Sequence, residues 1–296
     1  MSFEISSEDL KKVGKIRLEF DKEYAANPEL YEREDRIRVL ENDYYVWRFL
    51  DDKDGDEDDA IKMIVKSLRW RKKTDVKSIR ETDFPREIYH VVPSHFYVQD
   101  KNGFLTYYNR LKVPPAPKEF LPLMTRMVIM AIESIDHLVL KNKTKLGLIV
   151  DCGDASITQL EMSSNRDLMG SVQAYYPNYI EYLAYYEMSS VLKAIYKMVK
   201  TFAPPKMTKN VVFMNKDNID EMIGLENVPD YMGGSCTKPY RKIMDHCPPV
   251  EEVAALNGIS IEAVKEFHKL YDPLLEEFER KRDELENSGE AGSTFL

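Results

Sequence analysis

The stretch from Leu146 to Cys236 constrains the fold more than any other part of the chain. It contains LGLIVD at 146–151, YYPNYIEYLAYYE at 175–187, SSVLKAIYKMVKTF at 189–202, KNVVFMN at 209–215 and NVPDYMGGSC at 227–236. The order reads strand, helix, strand, helix, strand. Strands that alternate with helical patterns predict βαβ units and a largely parallel sheet.

The helix between the second and third strands carries the functional clue. Over 188–202, Val191, Leu192, Ile195, Val199 and Phe202 make an apolar face, and Lys193, Lys197 and Lys200 fall on a second face. Between Ser189 and Lys209 there is no acid, and Lys206 and Lys209 bring the lysines to five, in a chain whose net charge is −9. A helix with these two faces suits either an anionic membrane surface or an ordinary crossover position with its lysines in water.

Residues 1–85 predict a small helical bundle: a first helix capped by Ser6 or Ser7 and stopped at Asn27-Pro28, a second over 34–50 and a third over 57–73. On the third, Ile61, Ile64, Val65, Leu68 and Trp70 supply the apolar positions. The acidic link DDKDGDEDDA does not bind calcium by the EF-hand pattern. With Gly55 at the sixth position, Leu50 and Ile61 stand where oxygen ligands belong.

Residues 86–247 predict an α/β lobe. It opens with a hairpin at 94–113 around Asn102-Gly103, continues through the connector VPPAPKEF, and reaches a helix over 120–140. Residues 248–286 predict a helical extension whose main helix is capped by Ser260, bent or split at Pro273, and lined by Ile261, Val264, Phe267, Leu270, Leu274 and Phe278. That helix either packs back or binds a protein partner. Residues 287–296 read as a disordered tail.

Chemistry-bearing motifs are sparse. The five histidines form no metal spacing, and no nucleophile elbow, Walker loop or dinucleotide fingerprint occurs. The expectation is a non-enzyme with no catalytic residue, no metal and no cofactor. Asp151 reads as a structural hydrogen-bonding acid, and Gly233-Gly234 as a tight turn. Cys152, Cys236 and Cys247 read as reduced thiols of a cytoplasmic protein. The start MSFEISSEDLKK has no apolar signal core, and the acidic balance argues against nucleic acid as a partner. The tyrosines at 175, 176, 179, 182, 185, 186 and 196 suit a half-open apolar cavity or a plain helix–sheet interface.

The order VWRFL, AIKMIVKSLRWRKKTDV, VQDKNGFLTYY, LGLIVDCGD, YYP, AIYKMVKTF, NVPDYMGG resembles the CRAL-TRIO lipid-binding family over residues 10–240. The resemblance implies a small N-terminal helical bundle followed by an α/β lobe whose mostly parallel sheet floors an apolar pocket. It implies that the helix 188–202 is a mobile gate docking reversibly on anionic membranes through Lys193, Lys197, Lys200, Lys206 and Lys209. Strand alternation sets Leu148, Val150 and Cys152 on one face. Matching the family's pocket turns that face to the ligand and adds Leu183, Tyr185, Leu192, Tyr196, Val199 and Phe202. Tyr182, Ala184 and Tyr186 are then expected under covering helices.

The implied function is binding, and transfer between membranes, of a hydrophobic lipid. The alternative is a membrane- or lipid-droplet-docking module that carries no cargo. The family's inositol-lipid binders have an acid after the YP pair and a Thr and Lys before the last strand. Here Asn178, Met207 and Asn210 stand at those places, with Lys209 one residue off, which argues against inositol headgroup recognition.

Overall fold

The computed structural model describes residues 4–91, 94–153, 155, 174–177, 179–200, 210–236 and 244–288. They divide into two compact units. The first takes in the described residues up to Ile79 together with those of 128–144 and 165–179, and the second takes in the rest.

The first unit is helical: α1 (Ser7–Ala26), α2 (Arg33–Glu41), α3 (Asp43–Asp52) and α4 (Glu57–Lys73). Ser6 accepts from the Asp9 amide at 3.0 Å and so caps α1. The single helix expected over 34–50 is two helices. Asn42 is extended (φ −113°, ψ 103°), and its side chain accepts from the Tyr45 amide, which ends α2 and starts α3 anew.

The buried stripe of α4 is Ala60, Met63, Ile64, Ser67, Leu68 and Arg71. Of the apolar positions expected there, Ile61, Val65 and Trp70 are only half-buried. The acidic link ends in Asp56, whose carboxylate accepts from the Asp59 amide and caps α4. Buried charges join these helices to α6 (Leu121–Asn142), whose residues from Val128 onward belong to this unit. Arg48, 1% exposed, pairs with Asp136 at 2.7 Å, and Arg71 binds Asp35 at 2.9 Å and also Glu133. Burial opposes the charge on Arg71, but Glu133 and Asp35 more than offset it, so its proton is held more tightly than usual. Tyr176 donates to the same Glu133 oxygen, Tyr175 stacks on Trp70 at 4.3 Å, and Ser67 Oγ donates to the Tyr175 carbonyl at 2.5 Å. These two tyrosines of the YYP motif therefore fasten their segment to the helical unit.

The second unit holds one five-stranded sheet in chain order: β1 (Ser94–Gln99), β2 (Leu105–Arg110), β3 (Leu146–Asp151), β4 (Ile180–Tyr186) and β5 (Val211–Met214). β1 pairs antiparallel with β2, and every later pair is parallel. Asp100 makes the β1–β2 turn, with Oδ1 accepting from the Asn102 and Phe104 amides while Gly103 takes φ +86°.

The unit also holds α5 (Arg86–His90), α7 (Ser190–Lys200), α8 (Ile219–Met222), α9 (Val250–Leu256) and α10 (Ile261–Ser288). Pro273 does not split α10, which runs unbroken. Pro273 and Lys269 are both exposed, so the carbonyl that loses its helical donor faces water. The buried seam of α10 is Ala263, Phe267, Tyr271 and Phe278, whereas Ile261 of the expected stripe is 70% exposed. That seam packs back: Phe267 stacks on Phe120 at 5.2 Å, and the Tyr271 hydroxyl donates to the Pro114 carbonyl at 2.8 Å. Residues 289–296, most of the expected tail, lie outside the described residues.

Candidate functional site: the open face of the sheet

The two faces of the sheet differ. On the closed face, Tyr108, Ile149, Tyr182, Ala184, Tyr186 and Met214 are buried. Their cover is the short helix α8 and the turns behind it, through Ile219, Ile223, Val228 and Met232. The turn depends on both glycines for different reasons. Gly233 sits at φ +85°, and a Cβ on Gly234 would lie 2.0 Å from the Val228 carbonyl oxygen.

On the other face, register sets Tyr107, Leu148, Leu183 and Val211 in one row and Asn109, Val150, Tyr185 and Phe213 in the next. All eight are only half-buried. Strand side chains alternate between faces, so the apolar character of this face belongs to the sequence and its partial exposure to what covers it.

Cover comes from α7. Leu192, 1% exposed, closes a cluster with Leu111, Cys152 and Met188, against which Val150, Ala155, Tyr185, Tyr196 and Phe213 pack. The rings of Tyr185, Tyr196 and Phe213 meet pairwise, with centroids 5.3, 6.0 and 5.5 Å apart. Ser189 starts α7, accepting from the Leu192 amide at 3.3 Å. Before it, Glu187 takes φ +50°, while its carboxylate accepts from the Lys216 amide at 2.9 Å. Burial pushes the Cys152 thiol and the Tyr185 phenol each up to about 12, with smaller help from Asp151 for the thiol and from Tyr196 for the phenol. Burial also raises Tyr196. All three are neutral near pH 7, and the cluster presents an apolar surface.

Among the sequence-predicted residues, Val150, Cys152, Tyr185, Leu192 and Tyr196 come together in this cluster, and Leu148 and Leu183 lie on the same sheet face. Val191, expected on the apolar face of its helix, is 56% exposed. It lies one residue off the buried Leu192, so the inward stripe is narrower than the apolar count suggested.

Lys197 is exposed, whereas Lys193 is half-buried with its ammonium 5.8 Å over the Phe213 ring. The side chains of Val199 and Lys200 are not described, and Phe202, Lys206 and Lys209 lie outside the described residues, as do Asn178 and Met207. Sequence reasoning missed Phe213, Val211, Leu111 and Met188. The period-two pattern of VVFM could have placed Phe213 beside Tyr185 once register was known.

Asp151 is buried, its Oδ1 accepting from the Gly153 amide at 3.0 Å. A separate cavity of about 400 Å³ in this unit is lined by Arg86, Glu87, His90, Asp245, Leu275 and Glu279. Its charged wall does not suit an alkyl chain.

Two comparisons match this architecture. Residues 93–234 match the CRAL/TRIO domain. The structure is similar to the crystal structure of Sfh5, with a TM-score of 0.58 at 15% identity, covering 86% of this chain and 98% of that chain. The fold is thus an N-terminal helical region followed by an α/β region like the CRAL/TRIO domain, with a five-stranded, mostly parallel sheet. Among the described residues, no helix is long and apolar enough to cross a membrane.

Proposed function

We propose that this chain binds a hydrophobic lipid against the open face of the sheet and carries it between membranes, with α7 as a gate that docks reversibly. The carrying observation is the row of half-buried Leu148, Val150, Leu183, Tyr185 and Phe213 beneath an apolar helix. The order of motifs also resembles the N-terminal part of motile sperm domain-containing protein two.

Moving an acyl chain of roughly 15 methylenes into water costs about 12 kcal/mol at about 0.8 per group, so unaided exit from a bilayer is slow. An apolar face under a movable helix replaces the bilayer's contacts without full hydration of the chain. The positive-φ Glu187 between β4 and α7 gives that helix a defined pivot. Lysines near an anionic surface contribute about 1 kcal/mol each, which keeps docking reversible. In this reading the protein works as a peripheral membrane protein.

The test is transfer of a fluorescent lipid between donor and acceptor vesicles. Acceleration is expected, and reversing Lys197, Lys200 and Lys206 to Glu is expected to slow it on anionic vesicles. No bound lipid and no transfer across a broad lipid panel would overturn the proposal. The outward exposure of Val191 also suits a docking module that holds no cargo. Native mass spectrometry separates the two, since a stoichiometric lipid adduct belongs to the carrier alone.

A further inference from the structure

Two hydrogen-bond donors at the open face, the Tyr196 hydroxyl and the Lys193 ammonium, meet no acceptor among the described residues. The hydroxyl oxygen of Tyr196 is buried without a hydrogen-bond partner. On the closed face, by contrast, Tyr108, Tyr182 and Tyr186 all donate. An unpartnered buried phenol carries an uncompensated desolvation cost. Lys193 precedes Tyr196 by three residues on α7, so the two share a helix face. Its ammonium lies over the same Phe213 ring that Tyr196 meets edge-on at 5.5 Å, and it forms no ion pair among the described residues. The nearest acid in sequence, Glu187, is occupied by the Lys216 amide, and Asp151 belongs to the opposite face of the sheet.

We propose that the polar end of the bound ligand is a carboxylate, which accepts from the Tyr196 hydroxyl and pairs with the Lys193 ammonium, while its alkyl body lies over Val150, Tyr185 and the Leu148–Leu183 row. This rests on the lipid-binding reading above and names its substrate class: long-chain monocarboxylic acids. Two oxygens match two donors, and a single negative charge matches the single cation among the cluster's described residues. A neutral alcohol or ester satisfies the phenol but leaves the ammonium without a counter-charge.

The experiment uses the full chain, stripped of lipid, without vesicles, and with each ligand below its aggregation limit. Affinities are measured for hexadecanoic acid, hexadecan-1-ol and methyl hexadecanoate. The acid is expected to bind about tenfold tighter than the other two, as one charge-assisted contact provides. Tyr196→Phe is expected to weaken the acid about fivefold, and Lys193→Met to erase the gap between acid and alcohol. Equal binding of the three compounds, or an acid preference that survives both substitutions, overturns the carboxylate assignment and leaves the apolar site standing. Binding of none of them overturns both. The ligand series on the unaltered chain decides the matter even if a variant fails to fold.

Discussion

The two faces of one sheet use the same residue type in opposite ways. On the closed face, Tyr108 donates to the Asn227 carbonyl at 3.3 Å, Tyr182 to Asp100 at 2.8 Å and Tyr186 to the Met232 carbonyl at 2.8 Å. Each ring is buried and each hydroxyl has an acceptor. On the open face, the rings of Tyr185, Tyr196 and Phe213 form an aromatic corner, and the Tyr196 hydroxyl is buried with no acceptor. Buried polar groups are almost always satisfied in a face that only holds a fold together. The three closed-face tyrosines have that completeness. The open face lacks it where a bound molecule would supply the missing partner.

The largest expected contrast is in truncation. Tyr108→Ala removes a fully buried ring from the closed face and is expected to cost about 3–5 kcal/mol. Leu148→Ala, half-buried on the open face, is expected to cost about 1 kcal/mol or less. Urea unfolding of both variants measures this. Similar losses at the two positions would mean that the open face is packed as tightly as the closed one, and the distinction between them would fail.

How much of this could be read in the sequence follows from what sets each feature. The sheet and its two faces were legible because strand alternation is local: LGLIVD and YIEYLAYY divide Leu148, Val150, Leu183 and Tyr185 from Ile149, Tyr182, Ala184 and Tyr186 without knowledge of partners. Phe213 was not legible, because its place beside Tyr185 depends on the β4–β5 register. Which segment covers the closed face was not legible, because a four-residue helix and the turns behind it leave no periodic signal. The break at Asn42 was overlooked although its capping residue is in plain sight. An apolar pattern that continues in phase across a cap hides it. The failure of Pro273 to split α10 turned on which side of the helix faces water, a tertiary fact.

A smaller contrast is in hydroxyl deletion. Tyr182→Phe takes a donor from Asp100, which is itself buried, and is expected to cost about 1–2 kcal/mol. Tyr196→Phe removes a hydroxyl that has no partner, and its cost in the ligand-free protein is expected to lie within about 0.5 kcal/mol of zero or to be a slight gain. Thermal unfolding of the two variants, free of lipid, makes the comparison. A loss at Tyr196 equal to that at Tyr182 would show that the hydroxyl is already engaged.

The finest probe is the thiol at the foot of the open face. Cys152 is 2% exposed, and burial, with Asp151 adding to it, lifts its pKa from the ordinary 9.0 to about 12. Because the folded value is the higher one, the stability it contributes is complete below pH 9 and declines as pH rises from there toward about 12, where the unfolded chain sheds a proton that the folded one keeps. With Cys236 and Cys247 replaced by Ala, alkylation of the remaining thiol at pH 8 is expected to run far slower than for a free thiol, since only thiolate reacts. A long-chain ligand seated on Val150 and Tyr185 would dehydrate the same corner further and slow the reaction again. Rapid alkylation at pH 8, unchanged by such a ligand, would place water against Cys152 and deny that the helix above it seals the sheet.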